Sequence, residues 1–284
     1  MNTGQWLDKA VAFLTKKGVP EARANAEFIM AEALKAGRTE LTLHHQRVPT
    51  DKQQRVFWGN VERRAKRIPL AYLLGTQPFM GLEIKVTADT LIPRPETEEV
   101  VAEAIGLLKP RAQEQLNVLE LGTGTGCIAV ALASALPQAT VYATDISKPA
   151  LHLALQNAMA HHVDRRIRFI NEDLFGEDAR FKGWADLVIS NPPYIPTAEV
   201  DRLEPEVLKE PRMALDGGKD GLAALRAIAA AAPRYLKPGG WLVLEMGFDQ
   251  KDDVLGLMEK AGFEGRYARK DAQGQDRIAV ARKG

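Results

Sequence analysis

This sequence of 284 residues has one cysteine, no long apolar run and almost no excess of either charge. Its single cysteine excludes a disulfide scaffold and a cysteine-cluster metal site. No apolar run approaches the roughly 20 residues needed to cross a bilayer. The amphipathic N-terminal segment also lacks the apolar core of a signal peptide. The sequence therefore predicts a globular protein of the cytoplasm, a reducing compartment, with no membrane association.

The near balance of charge, 38 Lys and Arg against 37 Asp and Glu, argues against a general polyanion binder. The balance is uneven along the chain, since residues 1–75 carry a net charge of +6 and the remainder carries −5. Two interpretations stay open. One is a solvated basic face on a small helical domain, and the other is a docking surface for an acidic partner.

The first 75 residues show only helical spacing of apolar side chains. A first helix carries Trp6 and Leu14, a second is expected to open with Pro20 at its first position, and a third is capped by Thr50 or Asp51. We expect a helical bundle over residues 1–75, with no catalytic group of its own.

The pattern changes after this bundle. Residues 76–92 are predicted to form a β-rich connection, and the run at 91–95 is also expected to be extended. Pro93 and Pro95 are expected to keep the loop around them out of a helix.

Over residues 93–284, apolar strands alternate with helices, which predicts a mostly parallel sheet covered by helices on both faces. One helix is expected to run from Gly221 to Leu236, followed by a strand over Trp241–Glu245. The last two strands, Phe263–Ala268 and Arg277–Ala281, predict an antiparallel pair at one edge of the sheet.

A glycine-rich turn follows the apolar strand that ends at Leu121. It comprises Gly122, Thr123, Gly124, Thr125 and Gly126, and a helix follows it. In a doubly wound sheet, such a turn meets a nucleotide-like ligand at the carboxyl edge, and the helix N-terminus offers free N–H groups to an anion.

The next strand ends at Asp145, whose carboxylate is placed to accept hydrogen bonds from ribose hydroxyls. The dinucleotide fingerprint G-x-G-x-x-G fails, because its third glycine would fall on Cys127. The spacing favours a smaller adenosine ligand, with S-adenosylmethionine (SAM) as the leading candidate. Whether Glu120 faces that ligand stays open, and Cys127 is interpreted as a packed residue rather than a nucleophile.

A second motif, Asn191-Pro192-Pro193-Tyr194, follows the apolar strand that ends at Ser190. It is either a rigid turn or a pocket for a planar NH2 group. In the second interpretation, the Asn191 side-chain oxygen and the Pro192 carbonyl each accept one N–H, and Tyr194 forms an aromatic wall. An NH2 group held in this way suits methyl transfer, since the two acceptors stabilise the positive charge that develops on its nitrogen.

With these motifs in view, the chain resembles the bacterial release factor glutamine methyltransferases, the HemK or PrmC family. The matching segments are LIPRPETE (91–98), ELGTGTGCIA (120–129), ATDIS (143–147), SNPPYI (190–195), EPRMALDGG (210–218), LKPGGWLVLE (236–245) and DAQGQDR (271–277). The resemblance implies a class I SAM-dependent methyltransferase, with a Rossmann-like, seven-stranded, mostly parallel sheet and a small N-terminal helical domain. It implies N5-methylation of the glutamine in the Gly-Gly-Gln motif of peptide chain release factors 1 and 2.

The resemblance also implies roles for individual residues. Residues Gly122 to Gly126 line the methionine end of SAM, Asp145 holds the ribose and Leu174 flanks the adenine. Asn191 contacts both the cofactor and the substrate amide, and residues 191–194 form the glutamine pocket, with Asn191, Pro192 and Tyr194 in the catalytic role. No metal, nucleic acid or membrane is required, the protein is expected to be monomeric, and the domain over residues 1–75 helps to bind the release factor.

Three alternatives remain open. In the first, the methyl group goes to a glutamine of a ribosomal protein. In the second, it goes to an adenine N6 of DNA or RNA, held by the same Asn-Pro-Pro-Tyr residues. In the third, the protein binds SAM without turnover and acts as a scaffold. The net charge of −5 beyond residue 75 disfavours the nucleic acid, and rigid acceptors have no purpose in a scaffold.

Overall fold

The computed structural model describes residues 1–176 and 181–284, and the chain divides into two compact units. The first unit comprises Met1–Thr76 together with Glu204–Lys209, and the second comprises the remaining residues. The sequence predicts that residues 204–209 belong to the region over residues 93–284. Their place in the first unit is therefore not predicted from the sequence.

Four helices build the first unit: α1 (Thr3–Lys16), α2 (Ala22–Leu34), α3 (Asp51–Ala65) and α4 (Leu70–Leu74). Capping boxes start α1 and α3, because the side chains of Asn2 and Thr50 each accept the backbone N–H of a Gln three residues later. The expectation that Pro20 opens the second helix is wrong. Glu21, with φ of +48°, separates Pro20 from the helix, which starts at Ala22.

The core of this unit packs apolar side chains such as Leu14, Ile29 and Phe57, all fully buried. Beside it, Arg64 and Arg67 both form ion pairs with Glu206, at 2.7 Å and 2.5 Å. Arg64 is itself buried. These two charge-assisted contacts explain why residues 204–209 belong to the helical unit although they lie far along the sequence.

The second unit contains nine strands and six α-helices in its described part. The strands are β1 (Thr76–Phe79), β2 (Leu82–Lys85), β3 (Leu116–Leu121), β4 (Ala139–Asp145), β5 (Ile167–Asn171), β6 (Ala185–Ser190), β7 (Leu236–Glu245), β8 (Phe263–Lys270) and β9 (Asp276–Lys283). The helices are α5 (Pro95–Leu108), α6 (Cys127–Ala135), α7 (Lys148–Ala160), α8 (Thr197–Val200), α9 (Ala223–Tyr235) and α10 (Lys251–Lys260).

A seven-stranded sheet dominates this unit, with the order β5-β4-β3-β6-β7-β9-β8. Strands β3 to β7 pair in parallel, whereas β9 is antiparallel to both β7 and β8. The predicted antiparallel pair at one edge is therefore confirmed. The chain proceeds outward from β3 through β4 to β5 and then returns to the other side of β3, so the switch in strand order lies between β3 and β6.

Four local predictions differ from the structure. Pro95 does not exclude a helix but starts α5, and the run at 91–95 is not a strand. Helix α9 ends at Tyr235 rather than Leu236, and β7 begins at Leu236 and continues through the Pro-Gly-Gly sequence to Glu245. Helix α10 was not predicted at all. No helix in the described part of the chain is both long and apolar enough to span a bilayer.

Candidate active site

A cavity of about 350 Å³ opens at the carboxyl ends of β3, β4 and β6, at the switch in strand order. Its lining includes the residues that directly follow each of these strands: Gly122 after β3, Ile146 after β4 and Asn191 after β6. Parallel strands bring their carboxyl ends to the same edge of a sheet, so motifs far apart in sequence meet here. The volume is in the range of roughly 300–1,000 Å³ that is usual for small-molecule sites.

The glycine-rich turn forms one wall of this cavity. Gly122 and Gly124 have φ of +70° and +53°, in the left-handed region that favours glycine. A Cβ added at either residue would meet no protein atom within 4 Å, so the space beside their backbones belongs to the cavity that both residues line. Gly126 differs, because a Cβ there would lie 2.9 Å from the Cβ of Ala154. Its role is close packing of α6 against α7.

The Asp145 carboxylate lies at the cavity and also shapes the glycine-rich turn. Its Oδ2 accepts the N–H of Gly124 at 2.8 Å, and its Oδ1 accepts the N–H of Ser147 at 2.8 Å. Each carboxylate oxygen has a second lone pair, which leaves Asp145 able to accept two further hydrogen bonds. One side chain thus fixes the loop and still offers acceptors to a ligand diol.

Leu174 lines the cavity, on the segment that follows β5. Its backbone has φ of +49°, an unfavourable conformation for a residue with a branched side chain. The Thr144 hydroxyl donates to the Leu174 carbonyl oxygen at 2.6 Å and so holds this conformation. Leu174 therefore presents an apolar surface at a fixed place beside Asp145 and Ile146.

The Asn191-Pro192-Pro193-Tyr194 turn leaves β6 with Asn191 and Pro193 in the cavity lining. Asn191 Nδ2 donates to Thr97 Oγ1 at 3.0 Å. The Tyr194 hydroxyl donates to Glu245 at 3.2 Å, and the Tyr194 carbonyl accepts from Gln250 at 2.9 Å. The turn is thus tied to α5 and to the segment after β7.

Most of the predicted site residues meet at this one cavity: Gly122, Thr123, Gly124, Thr125, Asp145, Leu174, Asn191 and Pro193. Gly126, Pro192 and Tyr194, all within the described chain, are not among its lining residues. Pro192 is buried, and Tyr194 is partly buried with its hydroxyl turned to Glu245.

Burial raises the pKa of two further groups near the turn. Burial raises the pKa of the Glu120 carboxyl from 4.5 to about 8, although the Thr123 hydroxyl and the Ala129 N–H act to lower it. Glu120 does not line the cavity, and neither of its oxygens has a partner at full hydrogen-bonding geometry among the described residues. Burial also raises the pKa of the Cys127 thiol to about 12, so this thiol stays protonated and is no nucleophile at neutral pH.

Sequence reasoning missed Thr97, Glu245 and the role of Glu210. Glu210 is buried, accepts the Arg94 guanidinium and accepts the Ile92 N–H at 2.9 Å, and so holds Arg94 in the cavity wall. The three residues lie in the segments PRPETE, EPRMALDGG and LKPGGWLVLE, which are among those that match the family. These matches are the one signal in the sequence that could have identified them. Among residues 1–176 and 181–284, no group of three or more His, Cys, Asp or Glu side chains is arranged to hold a metal ion.

A seven-stranded sheet with a glycine-rich turn after its first central strand and a cavity at its switch point defines a class I methyltransferase domain. The Methyltransferase small domain family matches residues 104–260, and the PrmC N-terminal domain family matches residues 5–75. The catalytic domain of human METTL16 is similar in fold, with a TM-score of 0.57 at 18% identity over 77% of this chain and 79% of that one. A methyltransferase from Pyrococcus furiosus gives a TM-score of 0.52 at 20% identity, over 72% of this chain and 90% of that one.

Relatives of much higher identity cover nearly the whole chain. The release factor glutamine methyltransferase of Geobacter sulfurreducens is 44% identical over 98% of this chain and 95% of its own length. The release factor glutamine methyltransferase of Cereibacter sphaeroides is 42% identical over 99% of both chains. The chain belongs to the family of release factor glutamine methyltransferases.

Proposed function

We propose that this protein transfers a methyl group from SAM to the side-chain nitrogen of the glutamine in the Gly-Gly-Gln motif of peptide chain release factors 1 and 2. The observation that carries the proposal is the single cavity that brings together the glycine-rich turn, Asp145 and Asn191. The relatives from Geobacter sulfurreducens and Cereibacter sphaeroides support glutamine of a release factor as the acceptor, since both are release factor glutamine methyltransferases.

The residues of the cavity fit SAM. The open backbones of Gly122 and Gly124 suit the methionine end, since a ligand can approach them without meeting a Cβ. Asp145 retains acceptors for the two ribose hydroxyls, and Leu174 with Ile146 offers apolar contact to adenine. When bound, SAM supplies an electrophilic methyl group on its sulfonium.

The acceptor amide would be held by the turn that starts at Asn191. The Asn191 oxygen and the Pro192 carbonyl each accept one N–H of the glutamine NH2 group, and both then stabilise positive charge on its nitrogen. The two prolines restrict the backbone, so these acceptors need not reorganise as that charge develops. Pro193 and Tyr194 complete the pocket, with the Tyr194 ring held by its hydrogen bond to Glu245.

The helical unit is proposed to help bind the release factor. Residues 1–75 carry a net charge of +6, which suits an acidic face of a folded protein partner. The catalytic region beyond residue 75 carries −5, which does not suit a phosphate backbone. A protein acceptor is therefore favoured over DNA or RNA.

The test is incubation of the purified protein with SAM labelled in its methyl group. The acceptors are a release factor with its Gly-Gly-Gln motif, the same factor with Gln replaced by Ala, and an adenine-containing oligonucleotide. We expect label only on the factor that keeps its glutamine. Label on the oligonucleotide, or equal label on the two factors, would refute the proposal.

A further inference from the structure

A chain of hydrogen bonds joins Asn191 to Glu245 through Thr97, which lines the same cavity as Asn191. Asn191 Nδ2 donates to Thr97 Oγ1 at 3.0 Å, and Thr97 Oγ1 donates to Glu245 Oε2 at 2.6 Å. The Tyr194 hydroxyl donates to the other carboxylate oxygen, Oε1, at 3.2 Å. Three separate elements supply these groups: Thr97 lies in the first turn of α5, Glu245 ends β7, and Asn191 and Tyr194 follow β6.

The number of protons in this chain fixes its direction. A threonine hydroxyl carries one proton, and an ionised carboxylate only accepts. When Glu245 is ionised, Thr97 must give its proton to Glu245 and can only accept from Asn191. The NH2 end of the Asn191 amide therefore faces Thr97. Its oxygen, which Thr97 does not bind, can accept a hydrogen bond from a group in the cavity that both residues line.

We propose that Thr97 and Glu245 are positioning residues that set the orientation of the Asn191 amide, with its oxygen toward the glutamine NH2 group. This inference rests on the proposed function, because it needs an acceptor amide in the cavity. If Glu245 carried a proton, it could donate to Thr97, which would then donate to the oxygen of a flipped Asn191 amide. The flipped amide would present NH2 to NH2, and two donors cannot bind each other.

The surroundings of Glu245 place the change in its protonation near neutral pH. Burial raises the pKa of the Glu245 carboxyl from 4.5 to about 7, while the hydrogen bonds from Thr97 and Tyr194 and the charge of Arg277 act to lower it. Glu96 on α5 acts in the opposite direction, and the protonated thiol of Cys127 on α6 also faces this carboxyl. Asp271 and the Met246 carbonyl hold the Arg277 guanidinium in place.

The test compares Thr97→Val, which keeps the shape and loses the hydroxyl, with Thr97→Ser, which keeps the hydroxyl. Thr140→Val is the matched control, since Thr140 lies near the start of β4, is not among the residues that line the cavity, and accepts a hydrogen bond from the exposed Gln115 at 3.1 Å. We expect kcat for release factor to fall roughly 10- to 100-fold in Thr97→Val, as for loss of an oriented acceptor. The Kd for SAM should stay within about twofold, and Thr97→Ser should restore most of the rate. The wild-type kcat should rise as pH increases through about 7, and Thr97→Val should lose this rise.

An additional measurement uses the protein without substrate. The NMR resonance of the Asn191 side-chain NH2 group is assigned by its loss in Asn191→Asp. The protons of this group should exchange slowly with solvent in the wild type and faster in Thr97→Val. Failure of the wild type to label release factor would refute the proposed function, whereas unchanged exchange would refute this inference alone. A wild-type kcat in Thr97→Val, or equal losses in kcat and SAM affinity, would also overturn it.

Discussion

The Asp145 carboxylate holds the glycine-rich turn and is proposed to bind the ribose of SAM, and this makes Asp145→Asn the most informative substitution. The aspartate accepts the N–H groups of Gly124 and Ser147, each at 2.8 Å, one on each oxygen. Asparagine keeps the shape but replaces one acceptor oxygen with an NH2 donor. In either orientation of its amide, that donor faces a backbone N–H, so the apparently conservative change creates a conflict between two donors.

The size of the effect follows from these contacts. A hydrogen bond to a charged group contributes about 1.5–3 kcal/mol, and a neutral one contributes about 1 kcal/mol. We therefore expect the free energy of unfolding without ligand to fall by about 1–3 kcal/mol. If one ribose hydroxyl also loses its ionised partner, a similar loss in binding free energy makes the Kd for SAM roughly 10- to 100-fold weaker, at about 1.4 kcal/mol for each factor of ten.

Urea unfolding of the ligand-free protein and calorimetric titration with SAM measure the two effects separately. Asp8→Asn is the control, since it removes an exposed ion pair with Arg23 that contributes at most about 1 kcal/mol. Unchanged SAM affinity in Asp145→Asn would refute the ribose assignment. Unchanged stability would refute the structural role in the glycine-rich turn.

Five further predictions concern other parts of the molecule. Asn191→Ala should lower kcat for release factor roughly 10²- to 10³-fold by removing one acceptor, and unchanged turnover in the labelling assay would contradict the pocket. Gly126→Ala should destabilise the fold by about 2 kcal/mol or more in thermal or urea unfolding, because its Cβ would clash with Ala154 at a φ of +78°. Gly122→Ala should instead chiefly weaken SAM binding in calorimetry, because the added Cβ enters the cavity. Burial raises the pKa of Glu120 from 4.5 to about 8, so the folded state keeps a proton that the unfolded state releases. The free energy of unfolding should fall as pH rises between these values, and Glu120→Gln should reduce this slope; an unchanged slope would contradict the burial argument. Finally, added salt should raise the KM for release factor if the helical unit docks an acidic face, whereas salt-insensitive turnover at low release factor would count against that docking.

Periodicity and motif spacing were sufficient to predict the central sheet. Strands β3 and β6 are almost wholly buried, as expected of parallel strands covered on both faces, and β4 is buried at four of its seven positions. Each of the three leads directly into a site residue. The sequence pattern does not predict helix α5, because proline inside a helix normally breaks it. At the first helical position, however, the missing N–H would have no partner in any case, and proline is favoured there.

The start of β7 illustrates a second limit of sequence patterns. Pro238 and two glycines argue against a strand, yet β7 begins at Leu236 and tolerates them where its register against β6 shifts between Ala185 and Leu187. Thr97 and Glu245 could not be predicted from spacing at all. They lie 94 residues from Asn191 and 51 residues from Tyr194, and only the order of the strands brings them together.

Two of the buried carboxyls of this domain, Glu120 and Glu245, differ in a way that bears on function. Glu120 and Glu245 are each 1% exposed, and burial raises the pKa of both above the ordinary value. Each therefore reduces stability at pH values where an unfolded chain would carry an ionised carboxylate, and an apolar residue would carry no such cost. Only Glu245 accepts hydrogen bonds from two side chains, Thr97 and Tyr194, that lead back to the proposed glutamine pocket. Since those bonds only partly offset the cost of burial, the orientation of Asn191 gives a buried carboxyl at the end of β7 a purpose that packing alone does not.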